Sequence, residues 1–180
     1  MVSSQLFNFP VFRSIKTLVF RCLFSIGKKS DIGYGVLLKR SHKMKDGKIM
    51  IGNYVQLADK CELDYSGGLK IGNGVEITEG VKILTHGHDY LGKRNDDVVP
   101  HTNRVYITPL NIGNNVFVGT KAIILHGVNS IGENSIIQAG AVVVKPVPPN
   151  VVAAGIPAKI IKEFSPTERY NLISGKFDFE

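Results

Sequence analysis

Between Ile112 and Ile161 the chain reads IGNNVFVGTKAIILHGVNSIGENSIIQAGAVVVKPVPPNVVAAGIPAKII. An aliphatic residue recurs at every sixth position, often followed by Gly, with a small or apolar residue four places after it. The hexads run IGNNVF, VGTKAI and ILHGVN from Ile112. After one extra residue, Ser130, they continue as IGENSI, IQAGAV and VVKPVP. Upstream, Ile51 opens IGNYVQ, LADKCE and LDYSGG, and Ile71 opens IGNGVE, ITEGVK and ILTHGH. IGYGVL, from Ile32, is an outlying hexad. A helix would repeat near 3.6 and a half-buried strand at 2. A period of six suits a short flat strand plus a turn. Three such sides close a triangular coil, and stacked coils make a parallel β-helix that rises by roughly 4.8 Å per coil. The aliphatic points into the prism. Gly and Asn gather at the corners, where turns need unusual φ. The expected class is therefore all-β, a parallel β-helix.

The rest of the chain is read outward from this core. Its 180 residues suit one domain, and 43% apolar with 21% charged residues is an ordinary globular balance that speaks against disorder. Lys and Arg number 22 against 15 Asp and Glu, a net charge of +7, which favours anionic partners. Two cysteines, Cys22 and Cys61, fit free thiols in a reducing compartment. No window of about 20 apolar residues spans a membrane, and the N-terminus is a poor signal peptide. The expected location is cytoplasmic.

The division expected is 1–30 as an amphipathic helical segment, 31–161 as the β-helix with an excursion loop at 89–111, and 162–180 as a C-terminal tail with a short helix. Val11, Phe12, Ile15, Leu18, Val19, Cys22, Leu23 and Ile26 follow helical spacing. With Arg13, Lys16 and Arg21 on other faces, residues 10–27 could lie on an anionic membrane surface or pack on protein. Ser165-Pro166-Thr167-Glu168 reads as a helix start, with the helix ended by Gly175.

The hexad run, and above all the PPNVVAAGIPAK ending (Pro148 to Lys159), resembles the hexapeptide-repeat acyltransferases, in particular the maltose/galactoside O-acetyltransferase group and its relatives in capsule and O-antigen modification. The resemblance covers about Ile49 to Lys162. It implies a left-handed β-helix, a homotrimer with sites between adjacent prisms, acetyl-CoA as co-substrate, no metal, and a sugar hydroxyl as acceptor. The basic N-terminal helix, outside that resemblance, would fit work at the inner face of the cytoplasmic membrane.

Acetyl transfer needs a base for the hydroxyl proton, and an imidazole suits that. His88, between Gly87 and Asp89 where the repeat breaks, matches the slot of the family's histidine; His86 is the second choice. By the same resemblance, Asp89, Tyr90 and Arg94 in the excursion would meet the acceptor. Thr120, Ala139, Gly140, Val144 and Lys145 would line the CoA groove, with Lys159 and Lys162 at its phosphates. The Thr120 amide is a candidate oxyanion donor. This sequence departs from the family at Phe117, Val144 and Ala58, the last standing where galactoside-type members carry a sugar-contacting Asn. His126, in place of a common Pro, is expected to be a corner substitution without chemistry.

Two alternatives stay open: an N-acetyltransferase on an amino-sugar nucleotide, and a non-catalytic trimeric scaffold. A zinc carbonic anhydrase of this fold would need a His-x4-His pair, and no two of His42, His86, His88, His101 and His126 are so spaced. No nucleic-acid motif accompanies the basic surplus.

Overall fold

A computed structural model describes residues 18–20, 24–41, 47–88, 105–165 and 168. The hexads form three parallel sheets, one for each face of a prism. Strands Ser25–Ile26, Ile49–Ile51, Leu69–Ile71, Leu110–Ile112 and Ser130–Ile131 make the first face. Asp31–Ile32, Gln56–Leu57, Glu76–Ile77, Phe117–Val118, Ile136–Ile137 and Val151–Gly155 make the second. Leu37–Lys39, Glu62–Asp64, Lys82–Ile83, Ile123–Ile124 and Val142–Val143 make the third. Equivalent residues stack from coil to coil: Ile51 pairs with Ile71, Ile71 with Ile112, and Ile112 with Ile131.

The hexad explains this geometry. Its first residue and the residue four places on both point inward. Ile112 and Val116, Val118 and Ala122, and Ile124 and Val128 are all 2% exposed or less. The residue three places on makes the corner with positive φ: 55° at Asn115, 58° at Lys121 and 94° at Gly127. The chain therefore turns outward for two residues and returns, and burial of the two inward positions holds each side flat.

At the edge between the first and second faces the coils are also laced by side chains. Lys28 N–H donates to Asn53 Oδ1 (2.8 Å), Asn53 N–H to Asn73 Oδ1 (2.8 Å), and Asn73 N–H to Asn114 Oδ1 (2.9 Å). Beside this ladder, Asn115 Nδ2 donates to Asn134 Oδ1 and Asn134 Nδ2 to Asn150 Oδ1. The preceding glycines let the coils close up: a Cβ on Gly113 would lie 2.5 Å from Glu133 N.

Three expected boundaries move. Leu18–Phe20 is helical, but the helix does not reach Ile26. Ser25–Ile26 is the first strand, pairing with Met50 and Ile51, so the prism begins six residues before position 31. Ile26 sits on the helical stripe and also one coil's length, 25 residues, before Ile51; pairing into the stack is what it satisfies. Second, the prism resumes at Leu110, inside the expected 89–111 excursion, because the chain leaves and re-enters as an antiparallel pair, His86–His88 with Val105–Ile107. Third, the last strand runs over Ala158–Glu163, past 161, and folds back antiparallel on Val151–Gly155.

The expected N-terminal helix before Leu18, the excursion from Asp89 to Arg104, and the C-terminal helix beyond Glu168 lie outside the described residues. The start of that last helix is seen as a reciprocal cap: Ser165 N–H donates to Glu168 Oε2 (2.7 Å) and Glu168 N–H to Ser165 Oγ (3.3 Å). Cys61 is a buried core thiol whose pKa is pushed up by that burial; Cys22 is outside the described residues.

Candidate active site

The edge between the third and first faces departs from the repeat. In the coil that holds Ile83, the corner does not close. Thr85 is fully buried, and the next three residues leave as the strand His86–His88. The cause lies one coil away. Asp64 ends the strand Glu62–Asp64 and is buried, with its side chain 5% exposed. Its carboxylate is enclosed by donors. Ser66 N–H and Oγ–H reach Oδ1. Thr85 N–H (2.8 Å), Thr85 Oγ (2.9 Å) and His86 N–H (3.1 Å) reach Oδ2. His86 Nδ1 lies 2.7 Å from the same Oδ2. Burial alone would raise the pKa of this carboxyl. The hydrogen bonds from Ser66, His86 and Thr85 outweigh it and hold Asp64 below the ordinary carboxylate range.

Alternation along the strand puts His86 and His88 on one face. Their rings meet edge to face, with centroids 6.1 Å apart. Gly87 faces the other way and is buried, and a Cβ there would lie 2.4 Å from the His126 ring. His126 is thus a corner residue, as expected, and it also packs beneath the strand that carries both histidines. His86 is partly buried, with 29% of its side chain exposed, whereas His88 is exposed.

Next to His86, a cleft of about 560 Å³ opens on the third face, bordered by Lys39, Arg40, Ser41, Glu62 and Asp64 among others. Its charged wall is partly paired. Glu62 bonds Lys39 at 2.6 Å and Lys82 at 3.5 Å, and the bond from Lys39 lowers its pKa.

The remaining predicted residues are spread over the prism. Thr120, Ala139 and Gly140 lie exposed on the edge between the second and third faces. Thr120 Oγ contacts Thr78 Oγ (3.3 Å), and Gly140 N–H donates to the Thr120 carbonyl (2.9 Å). Val144 and Lys145 are exposed on the histidine edge, two coils further on. Lys159 and Lys162 are exposed on the terminal hairpin that extends the second face. Within one chain, Thr120 and His88 therefore stand on different edges, with the third face between them. Asp89, Tyr90 and Arg94 lie outside the described residues.

Sequence reading missed Asp64, Ser66 and Thr85 and discounted His126. The signal was spacing. One coil takes 20 residues from Ile51 to Ile71, and 22 residues separate Asp64 from His86, which puts both at the same edge.

No protein-family model matches the chain. The galactoside O-acetyltransferase of Escherichia coli (strain K12) is 37% identical over 107 residues, 59% of this chain and 49% of that protein. WcaF of the same strain, a candidate colanic acid biosynthesis acetyltransferase, is 29% identical over 140 residues, 77% of this chain and 72% of its own length. The chain spans about half the length of the galactoside enzyme and of other curated relatives it matches. A galactoside acetyltransferase solved in complex with coenzyme A superimposes with a TM-score of 0.75 at 27% identity, covering 90% of this chain and 76% of that one. The prism is the left-handed β-helix of such proteins. In fold and in sequence, this chain resembles the hexapeptide-repeat acetyltransferases.

Proposed function

We propose that the protein transfers an acetyl group from acetyl-CoA to a hydroxyl of a saccharide, in the making of a surface polysaccharide. The observation that carries this reading is the imidazole pair displayed on one strand where the repeat breaks, beside an open cleft. The likeness to a galactoside acetyltransferase solved with coenzyme A supports the donor. The likeness to WcaF supports the polymer.

In the reaction, the acceptor oxygen attacks the thioester carbonyl while His88 takes the hydroxyl proton. The tetrahedral oxyanion is met by the Thr120 amide. Collapse expels the CoA sulfur, which receives the proton back from His88, leaving an acetyl ester and CoA. Ala139, Gly140, Val144 and Lys145 flank the pantetheine arm, and Lys159 and Lys162 meet the CoA phosphates. That Thr120 and His88 lie on different edges of one prism supports a complete site formed between two copies, and the resemblance to the acyltransferases supports a homotrimer. Asp89, Tyr90 and Arg94 belong to the acceptor side.

No helix among the described residues is long and apolar enough to cross a membrane. Of residues 10–27, those before the first strand at Ser25 offer peripheral contact with the cytoplasmic face of a membrane, and fractionation of a chain lacking residues 10–23 tests this.

The main test is CoA release from acetyl-CoA with a panel of sugars, for wild type and His88→Ala of equal oligomeric size. Acceptor-dependent release that collapses in the variant is expected. Equal release in both would remove His88 from the base role. Release with amino sugars but not with hydroxyl-only sugars would move the reading to N-acetyl transfer.

A further inference from the structure

We propose that the Asp64–His86 pair anchors the acceptor: His86 Nε2 accepts a hydrogen bond from a second hydroxyl, so the protein selects a saccharide with two neighbouring hydroxyls, one held by His86 and one presented to His88. This rests on the acetyl-transfer reading and adds the class of acceptor.

The argument starts at the carboxylate. An ionised carboxylate only accepts hydrogen bonds, and Asp64 is surrounded by donors from Ser66, Thr85 and the His86 backbone. His86 Nδ1, 2.7 Å from Oδ2, must therefore carry a proton and donate it. In the neutral ring this leaves Nε2 with a lone pair, a fixed acceptor that needs an O–H or N–H partner. A polyol supplies one.

The surroundings agree. Nδ1 is turned to the buried carboxylate, and His86 borders the cleft with Ser41, Arg40 and Glu62, polar groups suited to the other hydroxyls of a sugar. The volume, about 560 Å³, lies in the usual range for a small-ligand site. His88 stands two residues along on the same strand face, with its ring 6.1 Å from that of His86. Two imidazoles at that spacing address two oxygens of one ring, and among the described residues only His86 is tied to a carboxylate. His86 thus touches the acceptor, and Asp64 is a positioning residue acting through it.

Methyl hexopyranosides and their monodeoxy analogues serve as probes. For the glycoside with fastest CoA release, removing the hydroxyl next to the acetylated one should raise KM about tenfold in wild type, the scale of one lost hydrogen bond. In His86→Ala the same removal should change KM less than about twofold, with kcat little altered. His86→Gln, whose amide oxygen still accepts, should fall between. An equal deoxy penalty in wild type and His86→Ala overturns the anchor. So does a collapse of kcat in His86→Gln at unchanged KM, which would make His86 a base.

Asp64→Asn provides a second readout. Nitrogen NMR of the His86 ring should show an unprotonated Nε2 in wild type and mixed tautomers in the variant. A protonated Nε2 in neutral wild-type His86 overturns the proposal. If Asp64→Asn fails to fold, the wild-type spectrum and His86→Gln still decide.

Binding measured by saturation-transfer NMR without acetyl-CoA separates the two readings. Glycoside binding weakened by His86→Ala, with no CoA release from any sugar, keeps the anchor and removes acetyl transfer. Equal binding by wild type and His86→Ala, or no glycoside bound by wild type, overturns the anchor.

Discussion

The edge between the first and second faces and the edge between the third and first are turns of the same coils, yet they use polar side chains in opposite ways. On the former, each asparagine serves its counterpart a coil away, and the pattern repeats from Asn53 through Asn73 to Asn114. Each of these side-chain oxygens is taken up by the stack. On the latter, one buried carboxylate gathers donors from its own corner and the next coil, turns a histidine outward, and leaves one ring nitrogen without a partner among the described residues. A repeated polar pattern holds coils in register; a polar group that occurs once, at a break in the pattern, is available for chemistry.

The largest expected contrast between these edges is in rate. His88→Ala should lower kcat by about 10²- to 10⁴-fold, the usual worth of a general base. Asn73→Ala should leave kcat within about twofold, since no reacting group depends on it. Steady-state CoA release measures both.

Two glycines sharpen the comparison next. Gly113→Ala drives a methyl against the Glu133 backbone, which has no room to yield, and should destabilise by about 1–3 kcal/mol. Gly87→Ala drives one into the His126 ring. The added substitution His126→Ala should restore much of its stability, whereas no side-chain change should rescue Gly113→Ala. Denaturant unfolding of the two singles and the double distinguishes them.

The third contrast is in pH. Asp64 has a folded-state pKa below its unfolded value, so its contribution is fully present above about pH 4 and is lost as pH falls through the lower folded value. Asp64→Asn should cost about 1–3 kcal/mol at pH 7, because an amide hydrogen would then face donors. It should also flatten this part of the acid-stability curve. Asn114→Ala should cost about 1 kcal/mol and leave the pH dependence as in wild type. The smallest effect belongs to Lys60 and Glu79, an exposed pair at 2.9 Å. Lys60→Ala should leave Tm within about a degree of wild type.

Much of this architecture could be read in advance. The six-residue period placed nearly every buried aliphatic, because the same inward positions repeat on each side regardless of what the corners contain. The ends of the prism were less legible. Ile26 fits both a helical stripe and a coil, and only its pairing with Ile51 decides between them. At the site, the histidine strand was legible as a break in the repeat, and His88 and His86 were both singled out. Their relation was not. Asp64 looks like an ordinary polar residue of LDYSGG, and its meaning comes from the coil length that brings it beneath Thr85 and His86. The worth of His126 was hidden for the same reason. Its contact is with a glycine 39 positions earlier, and a glycine carries no side-chain signal.

The hairpin at the end of the prism has a consequence for assembly. A parallel coil presents to its successor the same backbone groups it received, so nothing within the repeat limits how far it extends, and another molecule's coil could add to an open end as strands add in a fibril. On the second face, Ala158–Glu163 reverses direction and occupies the edge that a further coil would need. A newcomer in the parallel sense would meet a strand running the wrong way. The six residues of that strand thus act as a stop signal for polymerisation, written in chain direction and not in charge.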